Sequence, residues 1–315
     1  MGPKPPLNTV LDCFRDNIYS GKHDLLQSVL ENFQSKNLQP QIGIELEFYL
    51  QQQGLPANAD LTLQFISVLQ SKIQKQNINF LTIEPEQGLG QIEIKTLPYL
   101  DIFQLCQDIL KIKEITKETA HNSSNNLQVN FSSQPYQNDC GSSLQINFSM
   151  TRNGQYLFAK NDNEESPHLL QSIAALFAAT KNMMLIFAPK KEDYLRFDLN
   201  LNRNLHSNKK YTAPVNMSWG YNNRTALIRI PATKKISERR LEFRLGGSDI
   251  DIYLASAFFL SAILQGMEQR GQPPLAIYGN AFDDKYDLEP LPNYDQAQQY
   301  LSDKIFLVLR GKKLD

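Results

Sequence analysis

Residues 41–50 read Gln-Ile-Gly-Ile-Glu-Leu-Glu-Phe-Tyr-Leu, an unbroken alternation. Successive side chains of an extended strand point to opposite faces. Ile42, Ile44, Leu46, Phe48 and Leu50 therefore share one face, and Gly43, Glu45, Glu47 and Tyr49 the other. Two carboxylates leave the same side of a strand whose reverse is wholly apolar. Like charges so placed repel. Either a solvated surface dilutes the repulsion, as at an exposed sheet edge, or a cation offsets it. The strand alone leaves both open.

Working outward, the same design recurs. In residues 91–95, Gln91, Glu93 and Lys95 alternate with Ile92 and Ile94, after the turn residues Pro85, Gly88 and Gly90. In 143–150, Ser143, Gln145, Asn147 and Ser149 alternate with Leu144, Ile146, Phe148 and Met150. In 240–245, Arg240, Glu242 and Arg244 alternate with Leu241, Phe243 and Leu245. Between the strands, apolar residues recur at helical spacing. They predict helices over 24–33, over 60–76 (apolar side Leu63, Phe65, Ile66, Leu69 and Ile73) and over 101–119, capped by Asp101. Gly54, Pro56 and Asn58 mark a turn before the second of these. Further helices are expected over 167–187, over 249–267, ended by Gly271 and Pro273, and near Asp295. The expected fold is α+β: a largely antiparallel sheet with helices packed on its apolar face and a polar face left free. Residues 1–20 read as an N-terminal extension and 21–315 as one domain.

Bulk properties narrow the function. A hydrophobic fraction of 41% and a charged fraction of 21% are those of an ordinary globular protein. A net charge of −1 gives no electrostatic case for nucleic acid or an anionic membrane. Cys13, Cys106 and Cys140 show no paired spacing, which suits a reducing, cytoplasmic setting. Four scattered histidines argue against a zinc site. The proline-rich start is no signal peptide, and the most apolar helix carries Gln171, Lys181 and Asn182, as a buried helix does and a membrane span does not.

The polar face gathers Glu45, Glu47, Glu86, Glu93 and Glu242 with Arg224, Arg229, Arg240 and Arg244. Hard oxygen ligands without His or Cys select Mg²⁺ or Mn²⁺. Guanidiniums present a bidentate fork to phosphate oxygens. Metal, phosphate and arginine together make the parts of phosphoryl transfer from a nucleotide. The competing reading is a surface patch of solvated ion pairs.

These residues resemble the catalytic domain of glutamine synthetase. Gly43-Ile-Glu45-Leu-Glu47-Phe is similar to that family's first acidic strand, and Glu86-Gln-Gly-Leu-Gly90-Gln91-Ile-Glu93 to its E-x-x-x-G-Q-x-E segment. Val129-Asn-Phe131 through Leu144 resembles its glutamate-binding loop, Asn223-Arg224 through Pro231 its N-R-x-x-x-I-R-x-P signature, and Arg240-Leu-Glu242-Phe-Arg244 its R-x-E-x-R strand. The resemblance implies one metal site at Glu47, Glu86 and Glu93, with Gln145 where the family has a metal-binding histidine. It implies another at Glu45 and Glu242, about two to three ions in all. Arg224 and Arg229 would stabilise the transferring phosphoryl group. Arg240, Asn147 and Ser149 would lie near ATP, Arg244 near the acyl phosphate, and Gly141 and Arg196 near the acid substrate. The implied chemistry is two-step: ATP phosphorylates a γ-carboxylate, and an amine displaces the phosphate.

Several positions depart from the family. Gln145 and Asn147 replace histidines, and Cys140 an asparagine. Thr212 stands in Tyr211-Thr-Ala-Pro214 where the family has a glutamate that helps deprotonate ammonium, and threonine cannot act as that base. The loop from Arg196 to Thr212 is longer than usual, and its Lys209 and Lys210 disfavour a cationic acceptor. About twenty residues precede the first shared helix, too few for the family's N-terminal β-grasp domain, so a dodecameric ring of the family type is not expected. The sequence therefore predicts a γ-glutamyl ligase acting on ATP, a glutamate-like acid and an amine other than ammonium. Glutamine synthesis proper and a catalytically weak nucleotide- or metal-binding homologue stand as alternatives.

Overall fold

The computed structural model describes residues 21–160, 164–210 and 213–300. The expected N-terminal extension, Tyr211 and Thr212 lie outside the described residues. The opening stretch is the middle of β1 (Leu38–Gln52), which pairs antiparallel with β4 (Gln91–Thr96) on one side and β6 (Leu144–Arg152) on the other. Short strands β2 (Leu55–Pro56) and β5 (Leu127–Asn130) also pair with β1, and β7 (Gln155–Tyr156) with β6. Outward from β4 comes the edge strand β3 (Phe80–Pro85). Outward from β6 come β10 (Leu241–Phe243), β9 (Ile228–Ile230) and β8 (Trp219–Tyr221). Among the described residues, only the β8–β9 pair is parallel. The architecture is the expected α+β sheet.

Register aligns the acidic strands. Glu47 lies opposite Glu93, Glu45 opposite both Lys95 and Gln145, and Glu242 opposite both Asn147 and Arg229. Because side chains alternate, matched registers put these residues on one face and every apolar partner on the other.

That other face is the core. Ile42, Ile44, Leu46 and Phe48 are almost wholly buried, as are Ile146, Phe148 and Phe243. Helices α1 (Lys22–Ser35), α2 (Ala59–Lys75), α3 (Ile102–His121), α4 (Pro167–Phe187) and α6 (Ile252–Gln269) supply the rest of the packed core. An aromatic cluster docks the last two helices: Phe259 of α6 meets Phe148 at 5.3 Å and Phe243 at 5.7 Å, and Phe187 of α4 meets Phe243 at 5.3 Å. Gly266 lets α4 and α6 approach closely, since a side chain there would strike Ala175. α4 is long and apolar enough to cross a membrane by length and composition, yet 56% of its apolar window is buried inside the fold. Its Lys181 reaches Glu289 at the surface.

Four details differ from the sequence reading. Asn58 caps α2, its side chain accepting from the Leu61 N–H at 2.9 Å. Leu63 is 54% exposed, because at about 100° per residue position 63 falls outside the stripe of Thr62, Phe65, Ile66, Leu69 and Ile73. α6 ends through Arg270 at φ 53°, one residue before the expected glycine. Strand β3 had no forecast, its Glu84-Pro85 reading as turn.

Ile146→Ala is expected to cost about 2–5 kcal/mol in urea unfolding, as a buried truncation does, and Leu63→Ala less than about 0.5 kcal/mol.

Candidate active site

Glu47 is the best-held acid of the polar face. Its carboxylate accepts from the Gln145 amide at 2.9 Å and the Ser143 backbone N–H at 2.8 Å. Gln145 is fixed in turn, its oxygen accepting from Arg244 at 3.0 Å. Arg244 then donates to Glu242 at 2.6 Å, and Arg229 to the other oxygen of Glu242 at 2.7 Å. A continuous polar chain thus crosses β1, β6, β10 and β9. Glu242 is fully buried, which alone would raise its pKa, but Arg244 and Arg229 hold it below the usual carboxylate range.

A second row lies one step along the sheet. Asn147 donates to Glu45 at 3.1 Å and accepts from Arg240 Nε at 2.8 Å. Ser149 donates to Gln41 at 3.0 Å. Arg224 is exposed at the rim, its charge felt by Glu86 and Arg229.

The 86–90 turn and the 131–142 loop close the other end. Gln91 is the clamp: its oxygen accepts from the Gly88 N–H at 2.9 Å, and its amide donates to the Gly141 carbonyl at 3.1 Å. Behind Gly141 lies Arg196, on a 3₁₀ helix (Lys191–Phe197), and a side chain at 141 would overlap it. Arg196 is buried, with one nitrogen donating to the carbonyls of Arg244 (3.2 Å) and Leu245 (2.8 Å), while its Nε and second terminal nitrogen have no partner among the described residues. Glu47, Glu86, Gln91, Gly141, Arg196 and Arg244 line one narrow cleft.

The lysine-bearing loop also takes a definite form. Residues Leu199–Ser207 form helix α5, capped by Asp198. Lys210 pairs with Asp139 at 2.6 Å, so its charge is compensated. The expected obstacle to a cationic acceptor is thus reduced at Lys210. Thr212, the other departure on this side, lies outside the described residues.

Burial raises Glu47 to about 7, with repulsion from Glu86 adding to it. Burial also raises Glu93, followed by Glu45, Glu47 and Glu86, despite Lys95 at 2.7 Å. Glu86 is raised too, chiefly by burial. Burial and mutual repulsion outweigh the positive charge nearby, and a divalent cation among oxygen donors would relieve both. As they stand, among the described residues, no three His, Cys, Asp or Glu side chains are gathered closely enough to hold a metal ion. Glu93 is turned to Lys95, Glu242 to the arginines, and the Gln145 oxygen to Arg244. Ligation requires these side chains to re-aim.

Residues 51–305 match the profile of the glutamine synthetase catalytic domain. That span is most of the chain, and the chain belongs to the glutamine synthetase family. The match begins past Glu45 and Glu47, whose place rests on the β1 register. The γ-glutamylputrescine synthetase PuuA of Escherichia coli (strain K12) is 24% identical over 304 residues, 88% of this chain and 62% of its own length. A glutamine synthetase of Clostridium saccharobutylicum is 30% identical over 201 residues, 63% of this chain and 42% of its own. The chain thus spans less than two thirds of these relatives. Among solved structures, a GmaS/ADP complex shares the fold with a TM-score of 0.78 at 23% identity, over 91% of this chain and 68% of that one. Apo GmaS gives 0.76 at 24% identity with the same coverage.

Sequence reasoning placed Gln91 on the polar face without a role and did not single out the Ser143 N–H. The first was legible from its position between Gly90 and Glu93. The second is a backbone group, and no side-chain pattern marks it.

The raised acids fix a pH dependence. Between about pH 4.5 and 7 the folded protein keeps protons on Glu47 that the unfolded chain has released, so stability falls as pH rises. Without divalent cation, Tm is expected to fall from pH 5 to pH 8, and Mg²⁺ or Mn²⁺ to raise it more at pH 8. Calorimetry across that range checks it. A cation effect equal at both pH values would contradict it.

Proposed function

We propose that this chain is an ATP- and Mg²⁺-dependent ligase that forms a γ-glutamyl amide through an acyl phosphate, with an amine other than ammonium as acceptor. The observation that carries the reading is the buried chain Glu47–Gln145–Arg244–Glu242–Arg229. It sets two guanidiniums against a row of acids, as transfer of a phosphoryl group requires. Family membership and the name of PuuA support the γ-glutamyl part.

The residues fit the following roles. Glu47, Glu86 and Glu93 with Gln145, and Glu45 with Glu242, would hold divalent cations, which supply the positive charge that neutralises nucleotide phosphates. Arg240, Asn147 and Ser149 would meet the nucleotide. Arg196, with two nitrogens that have no partner among the described residues, would take the carboxylate of the acid substrate beside Gly141. Arg224, Arg229 and Arg244 would stabilise charge on the transferring phosphoryl group and on the acyl phosphate. Phosphorylation is the physical requirement of the reaction, because a carboxylate oxygen leaves poorly and phosphate leaves well. Threonine at 212 cannot serve as that base, so the acceptor half of the site differs from that of an ammonium-using enzyme, which supports a different amine as acceptor. The Lys210–Asp139 pair leaves room for a cationic amine, and putrescine is the first to test.

ADP release is measured with ATP, Mg²⁺, L-glutamate and, separately, ammonium, putrescine and monoamines. Turnover is expected to depend on the acceptor and to be faster with an amine than with ammonium. Arg229→Ala is expected to lower kcat by on the order of 10²-fold or more. Preference for ammonium would return the reading to glutamine synthesis. No acceptor-dependent turnover, with nucleotide binding intact, would leave only the binding homologue.

A further inference from the structure

The 3₁₀ segment Lys191–Phe197 presents Arg196 to the cleft and its first residues to a second, open groove of about 810 Å³. Four lysines line this groove, Lys113 and Lys117 from α3 and Lys190 and Lys191 across from them. Much of the remaining lining is apolar: Leu110, Phe131, Pro189 and Ile250, with Tyr294. Three acids lie in the same wall, and two are already engaged. Asp249 pairs with Lys190 and accepts from Ser133 at 3.2 Å. Asp251 caps α6 through one oxygen and pairs with Lys22 at 2.6 Å through the other.

Lys113, Lys117 and Lys191 have no carboxylate within salt-bridge distance among the described residues. Lys113 and Lys117 stand four residues apart on one helix face, an arrangement of like charges that destabilises a helix. Both ammoniums gather over a single ring, 5.6 Å and 5.8 Å from the centre of Phe131. Burial brings Lys113 down to about 8, and Lys117 and Lys190 push the same way against the pull of Asp249 and Asp251. Four lysines thus stand over an apolar floor against three acids, of which Asp249 and Asp251 are engaged with Lys190 and Lys22 and Glu192 is exposed, so positive charge is in excess.

We propose that this groove binds a small organic anion, a carboxylate or phosphate carried on a flat apolar body. The lysines supply point charges for the anionic head. Phe131 and its apolar neighbours supply the surface for the body. The inference concerns a site separate from the cleft and does not rest on the ligase reading.

The test reads the lysines directly. The full chain is acetylated with acetic anhydride at pH 8, and the rate at each lysine is followed by mass spectrometry. The probes are phenyl phosphate and benzoate, with inorganic phosphate as the headgroup alone. An organic anion at ten times its Kd is expected to slow Lys113, Lys117, Lys190 and Lys191 about tenfold and leave exposed Lys75 unchanged. Phenyl phosphate outperforming benzoate assigns a phosphate head, and the reverse assigns a carboxylate. The double variant Lys113→Gln, Lys117→Gln, with its fold checked by circular dichroism, is expected to lose the protection at Lys190 and Lys191. Equal slowing at Lys75, no slowing by either organic probe, or protection by inorganic phosphate as strong as by phenyl phosphate would each overturn the proposal.

Discussion

The constraint on which this structure depends is the crowding of carboxylates on one buried sheet face. Glu45, Glu47, Glu93 and Glu242 come from three strands of one sheet and share one side, because the registers of β1, β4, β6 and β10 align them. Moving any strand by one residue would send these acids into the apolar core and the core residues to the cleft. The alternation that buries Ile42, Ile44, Leu46 and Phe48 is thus the same alternation that concentrates negative charge opposite them.

The chain compensates that charge only in part. Arg229 and Arg244 neutralise Glu242 from both sides, and Lys95 reaches Glu93. Glu47 has hydrogen-bond donors but no ion-pair partner among the described residues, and it sits beside the raised Glu86 and Glu93. A fold that aimed only at stability would carry fewer buried acids or more cations. The surplus belongs to function, and it is of the kind a divalent cation relieves.

Much of this was legible in the sequence, for physical reasons. Period-two alternation is strict wherever one face is packed, so 41–50, 91–95, 143–150 and 240–245 declared their strands and faces, the last forming a strand only over 241–243. Asp101 declared its cap. The sheet edges were harder to read. β3 is a six-residue edge strand in which Leu81 is 61% exposed, so it carries no clear alternation, and its Glu84-Pro85 resembles a turn. The site's composition was readable, but its present pairings were not. Five glutamates suggest a ready cage, whereas Lys95, Arg229 and Arg244 engage two of them. Those pairings depend on side-chain directions that spacing does not contain. The compensation of Lys210 by Asp139 was hidden for the same reason, since 71 residues separate the partners.

The central claim is that burial keeps protons on the acids of the polar face and that a divalent cation displaces them. The direct measurement is the proton release that accompanies Mn²⁺ binding at pH 6.5 in weakly buffered solution, with Glu47→Gln alongside. The account expects saturable binding with protons released as Glu47 and its neighbours ionise, and a smaller release in the variant. Saturable Mn²⁺ binding without proton release, or release undiminished in Glu47→Gln, would contradict it.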